Sequence, residues 1–127
     1  MEYVALVTLL AIVEYMVFVA FVGRARVRSG IAAPAVAGDP VFERYLRVQQ
    51  NTVEQLVVFL PALWVCGWYL NALAAAGIGM LFVLGRVLYF RGYVADPGKR
   101  ALGFVLGFLA NVLLVLGGIW GALAPLI

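Results

Sequence analysis

Residues 3–23, YVALVTLLAIVEYMVFVAFVG, hold one ionisable side chain, Glu14, and three more stretches of similar length and apolarity follow along the chain. A bilayer core of roughly 30 Å takes about 20 apolar residues per helical crossing. The backbone polar groups of such runs must then be satisfied within the helix itself. Four spans with short connections fill the 127 residues and leave room for one domain. Composition agrees, because 66% hydrophobic and 12% charged residues supply too little polar surface to cover a soluble sphere. We read residues 1–127 as one all-α domain, an integral membrane four-helix bundle with approximate spans 3–27, 41–71, 73–94 and 100–124.

The connections carry the local signals. No Lys or Arg precedes the first span and three arginines follow it, the reverse of a cleavable signal's charge order, so a retained helix is expected. The longest loop, residues 28–40, contains Gly30, Pro34, Gly38 and Pro40, which interrupt helices. The second span starts polar, VFERYLRVQQNTVEQ, and turns continuously apolar from Leu56 to Leu70, with Pro61 expected to kink it. A short turn at Asn71 leads to the third span, and VADPGKR leads to a fourth that is apolar but for Asn111. The absence of histidine and the single cysteine, Cys66, argue against a metal site and an intrachain disulfide.

All nine basic residues, Arg24, Arg26, Arg28, Arg44, Arg47, Arg86, Arg91, Lys99 and Arg100, lie in or beside the first and third connections. The positive-inside rule therefore places those loops in the cytoplasm and both termini outside. Basic groups sunk at helix ends, with no extended exposed face, make no nucleic-acid surface. The bias to Arg over Lys, and to Ala, Val, Leu and Gly, points to a GC-rich bacterial genome and hence an inner membrane.

Arg44, Arg47, Asn51 and Glu54 are spaced 3, 4 and 3 and form one narrow stripe on the second helix. One Arg or Asp at a helix centre costs about 2.5–3.5 kcal/mol on insertion scales, so the stripe needs a partner helix, a polar pocket or the interface. An internal ion pair such as Arg47 with Glu54 is one solution, and a bound ligand is the other. The third helix repeats the geometry with Arg86, Tyr89 and Tyr93. Arg100 opens the fourth helix, where the helix dipole disfavours a cation. A small extended anion near the cytoplasmic interface fits these stripes, with arginines clamping its carboxylates and Glu54 taking an ammonium group. From Arg47 to Glu54 the helix rises roughly 10 Å, comparable to an extended tripeptide.

The segment Phe42-Glu43-Arg44-Tyr45-Leu46-Arg47-Val48-Gln49-Gln50-Asn51-Thr52-Val53-Glu54, the later Arg86-Val87-Leu88-Tyr89-Phe90-Arg91-Gly92-Tyr93 and Pro97-Gly98-Lys99-Arg100 resemble the MAPEG family, membrane-associated proteins in eicosanoid and glutathione metabolism. The pattern E-R-x-x-R-x-x-x-N-x-x-E is most like the branch of leukotriene C4 synthase and microsomal glutathione transferases 2 and 3. The resemblance implies a homotrimer of four-helix subunits that binds glutathione between neighbours and takes a lipophilic electrophile from the membrane lipid. It assigns glutathione binding to Arg47, Asn51, Glu54, Tyr89 and Tyr93, and places Gln49, Arg86 and the first-loop Arg26 at the same ligand. It makes Arg100 the catalytic residue that holds the glutathione sulfur as thiolate. Gln55 stands where leukotriene synthases carry tyrosine, and Val27 where they carry a second arginine, which points away from leukotriene formation and towards a broader transferase or peroxidase used in detoxification. The alternative is a non-enzymatic lipid-binding or scaffolding protein of the same fold, and the arginine at position 47 favours the enzyme.

Three features stand outside this scheme. Glu14 at mid-span could be desolvated and neutral, paired with Asn111 or Thr8, or set at a trimer axis. Cys66 reads as a small apolar residue. Gly103 with Gly107, and Gly117 with Gly121, are small-xxx-small pairs of the kind that let helices approach closely.

Overall fold

The computed structural model describes residues 1–127 and contains four long helices: α1 (Glu2–Ser29), α2 (Pro40–Tyr69), α3 (Ala72–Ala95) and α4 (Ala101–Leu123). Short 3-10 turns, Pro97–Lys99 and Ala124–Leu126, flank α4. All four helices are long and apolar enough to cross a membrane. Their ends are set by local chemistry. Gly30 closes α1 in the left-handed region at φ 73°, a conformation that costs glycine nothing. Asp39 and Asn71 cap α2 and α3 by accepting hydrogen bonds from the backbone N–H of Phe42 at 2.9 Å and Ala74 at 2.8 Å. Helix α2 continues through Pro61 as one helix of 30 residues. At 1.5 Å per residue that is about 45 Å, longer than the hydrocarbon core, so its polar first half reaches the interface.

The central pair α2 and α3 pack against each other, and each also packs against α1 and α4. Phe59 and Phe82 stack at 3.9 Å between ring centroids in the middle of the core, which Leu56, Leu63, Leu114 and Val4 complete. Outward faces carry exposed Leu6, Leu9, Val13 and Met16 on α1, and Leu102, Val105, Leu109 and Leu116 on α4. The chain folds no second apolar layer over this surface, which leaves its burial to lipid or to a neighbouring chain.

Helices α3 and α4 approach backbone to backbone. A Cβ on Gly103 would collide with the backbone N and Cα of Tyr89, and one on Gly121 would lie 2.7 Å from the carbonyl oxygen of Tyr69 on α2. Gly103 is thus the close contact of its small-residue pair. Gly107 would have only ordinary contacts at 3.9 Å.

Two of the electrostatic alternatives left open by the sequence are not realised. The N-terminus with Glu2 forms the one ion pair within 4 Å, so the Arg47–Glu54 bridge is not made. Glu14 pairs with neither Asn111 nor Thr8: Asn111 donates to Gln55, while Thr8 donates to the Val4 carbonyl and accepts from the Trp64 indole. Both Glu14 carboxylate oxygens are buried in the protomer without a hydrogen-bond partner.

Candidate functional site

The stripes on α2 and α3 converge because both helices bring their polar ends to the same side as the start of α4. Arg47, Asn51, Tyr89, Tyr93 and Arg100 line one cavity of about 640 Å³, together with Phe104 of α4. The Tyr89 and Tyr93 rings stack at 5.6 Å, one turn apart on α3. Arg100 is placed by the preceding turn. Asp96 accepts from Gly98 N–H at 3.0 Å, and Arg100 Nη1 donates to the Pro97 carbonyl at 3.2 Å. Its guanidinium then lies 5.8 Å from the Tyr93 ring centroid. The Gly103 contact carries the first turn of α4 onto the backbone of Tyr89, so the loop arginine and the tyrosines share one wall.

Arg86 is not on that wall. It is 1% exposed, donates from Nη2 to Thr52 Oγ1 at 2.7 Å and lies over the Tyr89 ring at 4.2 Å. Thr52 in turn donates to the Val48 carbonyl at 2.7 Å. The contacts make Arg86 a support that fixes the Tyr89 ring from behind, through hydrogen bonding and cation–π attraction. Arg44, grouped with the α2 stripe by its spacing, instead donates from Nη1 to the Val94 and Ala95 carbonyls at 3.3 Å each. These are among the free carbonyls that close α3, where a cation is favoured by the helix dipole.

The remaining residues lie elsewhere in the protomer. Glu54 is exposed on the outer edge of the α2 stripe. Gln49 follows Arg47 by two positions, about 200° round the helix, and so faces away from the cavity. Arg26 donates to the Ala35 carbonyl at 2.6 Å and stacks 4.7 Å from the Phe42 ring, tying the first loop to α2. One protomer thus brings together five of the nine residues singled out in the sequence. Arg26, Gln49, Glu54 and Arg86 are not among the cavity's lining.

Reading single helices missed Thr52 and the Gln55–Asn111 pair. Asn111 Nδ2 donates to Gln55 Oε1 at 3.1 Å, joining α4 to α2 one turn deeper than Asn51. The isolated Asn111 in an apolar span was the available signal, but its partner is 56 residues away. Chemically, the cavity offers two unneutralised guanidinium groups, a carboxamide and two phenols. Such a set is chemically suited to an anion and to negative charge developing on a bound group.

The MAPEG family model matches residues 4–120. An uncharacterized protein of Synechocystis is 48% identical over 115 residues, covering 91% of this chain and 84% of that protein. Human microsomal glutathione S-transferase 2 is 41% identical over 117 residues, covering 92% of this chain and 80% of the relative. Rat leukotriene C4 synthase is 36% identical over 120 residues, covering 87% and 80% respectively.

Proposed function

The chain belongs to the MAPEG family, and on that premise we propose that it is a membrane-bound glutathione transferase that also works as a glutathione peroxidase on lipophilic electrophiles. The observation that carries this reading is the cavity joining Arg47, Asn51, Tyr89, Tyr93 and Arg100, in which no carboxylate neutralises either arginine. Arg47 and Asn51 hold glutathione carboxylate and amide groups. The guanidinium of Arg100 faces the sulfur. A free thiol with a pKa near 8.5 is mostly protonated at pH 7, and an adjacent cation favours the anion. The thiol proton leaves to water at the interface. In conjugation the sulfur lone pair forms a C–S bond with the electrophile while the leaving group departs with its bonding electrons. With a hydroperoxide the thiolate takes the terminal oxygen as the O–O bond breaks to release the alcohol, and a second glutathione then displaces water from the sulfenic acid to give the disulfide.

The unit is a homotrimer in this reading. Gln49 and Arg26, which lie outside the cavity of their own protomer, complete a neighbour's, while Glu54, on the same α2 face as Arg47, takes the ligand's ammonium group. The basic loops face the cytoplasm, both termini face outside, and the membrane is a bacterial inner membrane.

Glutathione binding by the purified protein, together with turnover of an aryl halide and a lipid hydroperoxide, tests the proposal. Arg47→Ala is expected to weaken glutathione binding by about 2–5 kcal/mol, since a ligand carboxylate loses its partner in a poorly solvated site. A wild-type protein that binds no glutathione refutes the reading and leaves a lipid-binding scaffold of the same fold.

A further inference from the structure

The end of α1 and the start of α2 enclose a second basic cavity, of about 200 Å³, apart from the one lined by Arg47 and Arg100. Arg24 and Arg28 line it with Asp39 and Tyr45. Four residues apart on α1, the two arginines lie one above the other, a spacing at which like charges repel. Both are exposed, and neither has a carboxylate within 4 Å. Topology alone would ask only for their charge in the loop, and would not need them in the wall of a cavity. Asp39 Oδ1 accepts from the Phe42 N–H, which leaves Oδ2 as a free acceptor.

A groove of about 530 Å³ leads from this cavity along the outside of the bundle, between α1 and α3. Phe21 lines both, so the two are continuous. At the junction the rings of Phe21, Tyr45 and Phe90 cluster, with Phe21 6.1 Å from Tyr45 and 5.2 Å from Phe90. Beyond it Leu10, Val13 and Val17 form the α1 wall and are 43%, 53% and 44% exposed, so they present their side chains to whatever lies in the groove. Glu14 borders the groove as well, but its two carboxylate oxygens have no accessible surface, which keeps the open wall apolar. From Phe21 to Leu10 α1 rises roughly 17 Å at about 1.5 Å per residue. That is close to half of a hydrocarbon core of roughly 30 Å, the depth of one leaflet.

We propose that the cavity and groove together bind one anionic phospholipid of the phosphatidylglycerol type, with its phosphate between Arg24 and Arg28, a headgroup hydroxyl on Asp39, and one acyl chain running past Phe21 towards Leu10. Guanidinium groups match phosphate oxygens bidentately. Arg91, exposed beside Phe90, adds a third positive charge against the single carboxylate of Asp39. That excess favours a negative headgroup over one that carries its own ammonium group. A free anion would use the cavity alone, whereas a lipid uses the cavity and the leaflet-deep groove at once. The site shares no residue with the cavity between α2, α3 and α4, and it does not rest on the glutathione reading.

Binding is measured without glutathione. The purified protein in mild detergent is titrated with phosphatidylglycerol, with phosphatidylcholine of the same chains, and with glycerol phosphate, and retained lipid is counted by native mass spectrometry. The wild type is expected to bind phosphatidylglycerol roughly tenfold more tightly than phosphatidylcholine, in the range of one or two charges beside a membrane, with glycerol phosphate too weak to compete. Arg24→Gln combined with Arg28→Gln should bring the two lipids to equal affinity. Lys99→Gln, a basic loop position outside the site, should keep the preference. Val17→Trp fills the groove and should weaken both lipids while keeping their ratio. Equal binding of the two lipids by the wild type, or glycerol phosphate competing as well as the lipid, overturns the assignment. A preference that falls as far in Lys99→Gln as in the arginine variant does the same, because it leaves only a general attraction to basic loops. No retained lipid, as when a neighbouring protomer covers this face, also overturns it. Lipid affinity unchanged in Val17→Trp is equally fatal, and decides alone where the arginine variant does not insert. A protein that holds phosphatidylglycerol in this way but binds no glutathione upholds the lipid site and removes the transferase reading.

Discussion

Gly103→Ala adds one methyl group at the point where α4 lies on α3. The new Cβ would collide with the backbone of Tyr89 and sit 2.7 Å from the Gly85 carbonyl oxygen, whereas an ordinary contact is 3.4–4 Å. No side chain can yield there, because the colliding atoms belong to the α3 backbone. The two helices must separate by roughly 1 Å, and overpacking of this kind costs about 1–3 kcal/mol. The same displacement moves Arg100, three residues earlier, relative to Tyr89 and Tyr93. A shift of about 1 Å at a reacting group costs on the order of 100-fold in rate. Gly107→Ala is the internal control. Its Cβ would meet only Arg86 Cδ and Phe82 Cδ2, both at 3.9 Å, so helix propensity should leave it neutral or up to about 1 kcal/mol more stable. Thermal unfolding in mild detergent and single-turnover rates with glutathione, run on both variants, give the comparison. A Gly103→Ala protein that unfolds at the wild-type temperature and reacts at the wild-type rate would refute the claim that this contact sets the site's geometry.

Arg100→Ala should retain much of the glutathione affinity while returning the thiol pKa towards its free value near 8.5, because the guanidinium that favours the anion is gone. The pH–rate profile then moves to higher pH and turnover at pH 7 falls, whereas unchanged thiolate absorbance against pH removes Arg100 from the chemistry. Mass measurement in mild detergent should give three protomers per particle, and a monomer that still binds glutathione would sink the shared-site arrangement. Cysteines introduced near Asn71 and the C-terminus should be labelled from outside intact cells, while those at Ala35 and Lys99 should be protected. Labelling of the basic loops from outside would invert the orientation.

Much of the fold was legible along the chain because a membrane makes helix formation a local matter. Each span satisfies its own backbone, so apolar length together with Asp39, Asn71 and Gly30 sets ends that lie within two residues of the expected spans. The family was legible too, since its motif falls on contiguous stretches of α2 and α3, and the family match over residues 4–120 agrees with it. Periodicity placed Arg47 with Asn51, and Tyr89 with Tyr93, on single helix faces. It could not say what each face meets. Spacing grouped Arg44 with the stripe, yet Arg44 caps α3, and Arg86 shares a stripe with Tyr89 and Tyr93 but lies behind the ring it supports. Gln55 and Asn111 are joined only when α4 packs on α2. One helix's period fixes angles about its own axis, whereas the offset and rotation between two helices follow from contacts such as Gly103 on Tyr89, and those exist only once the bundle has closed.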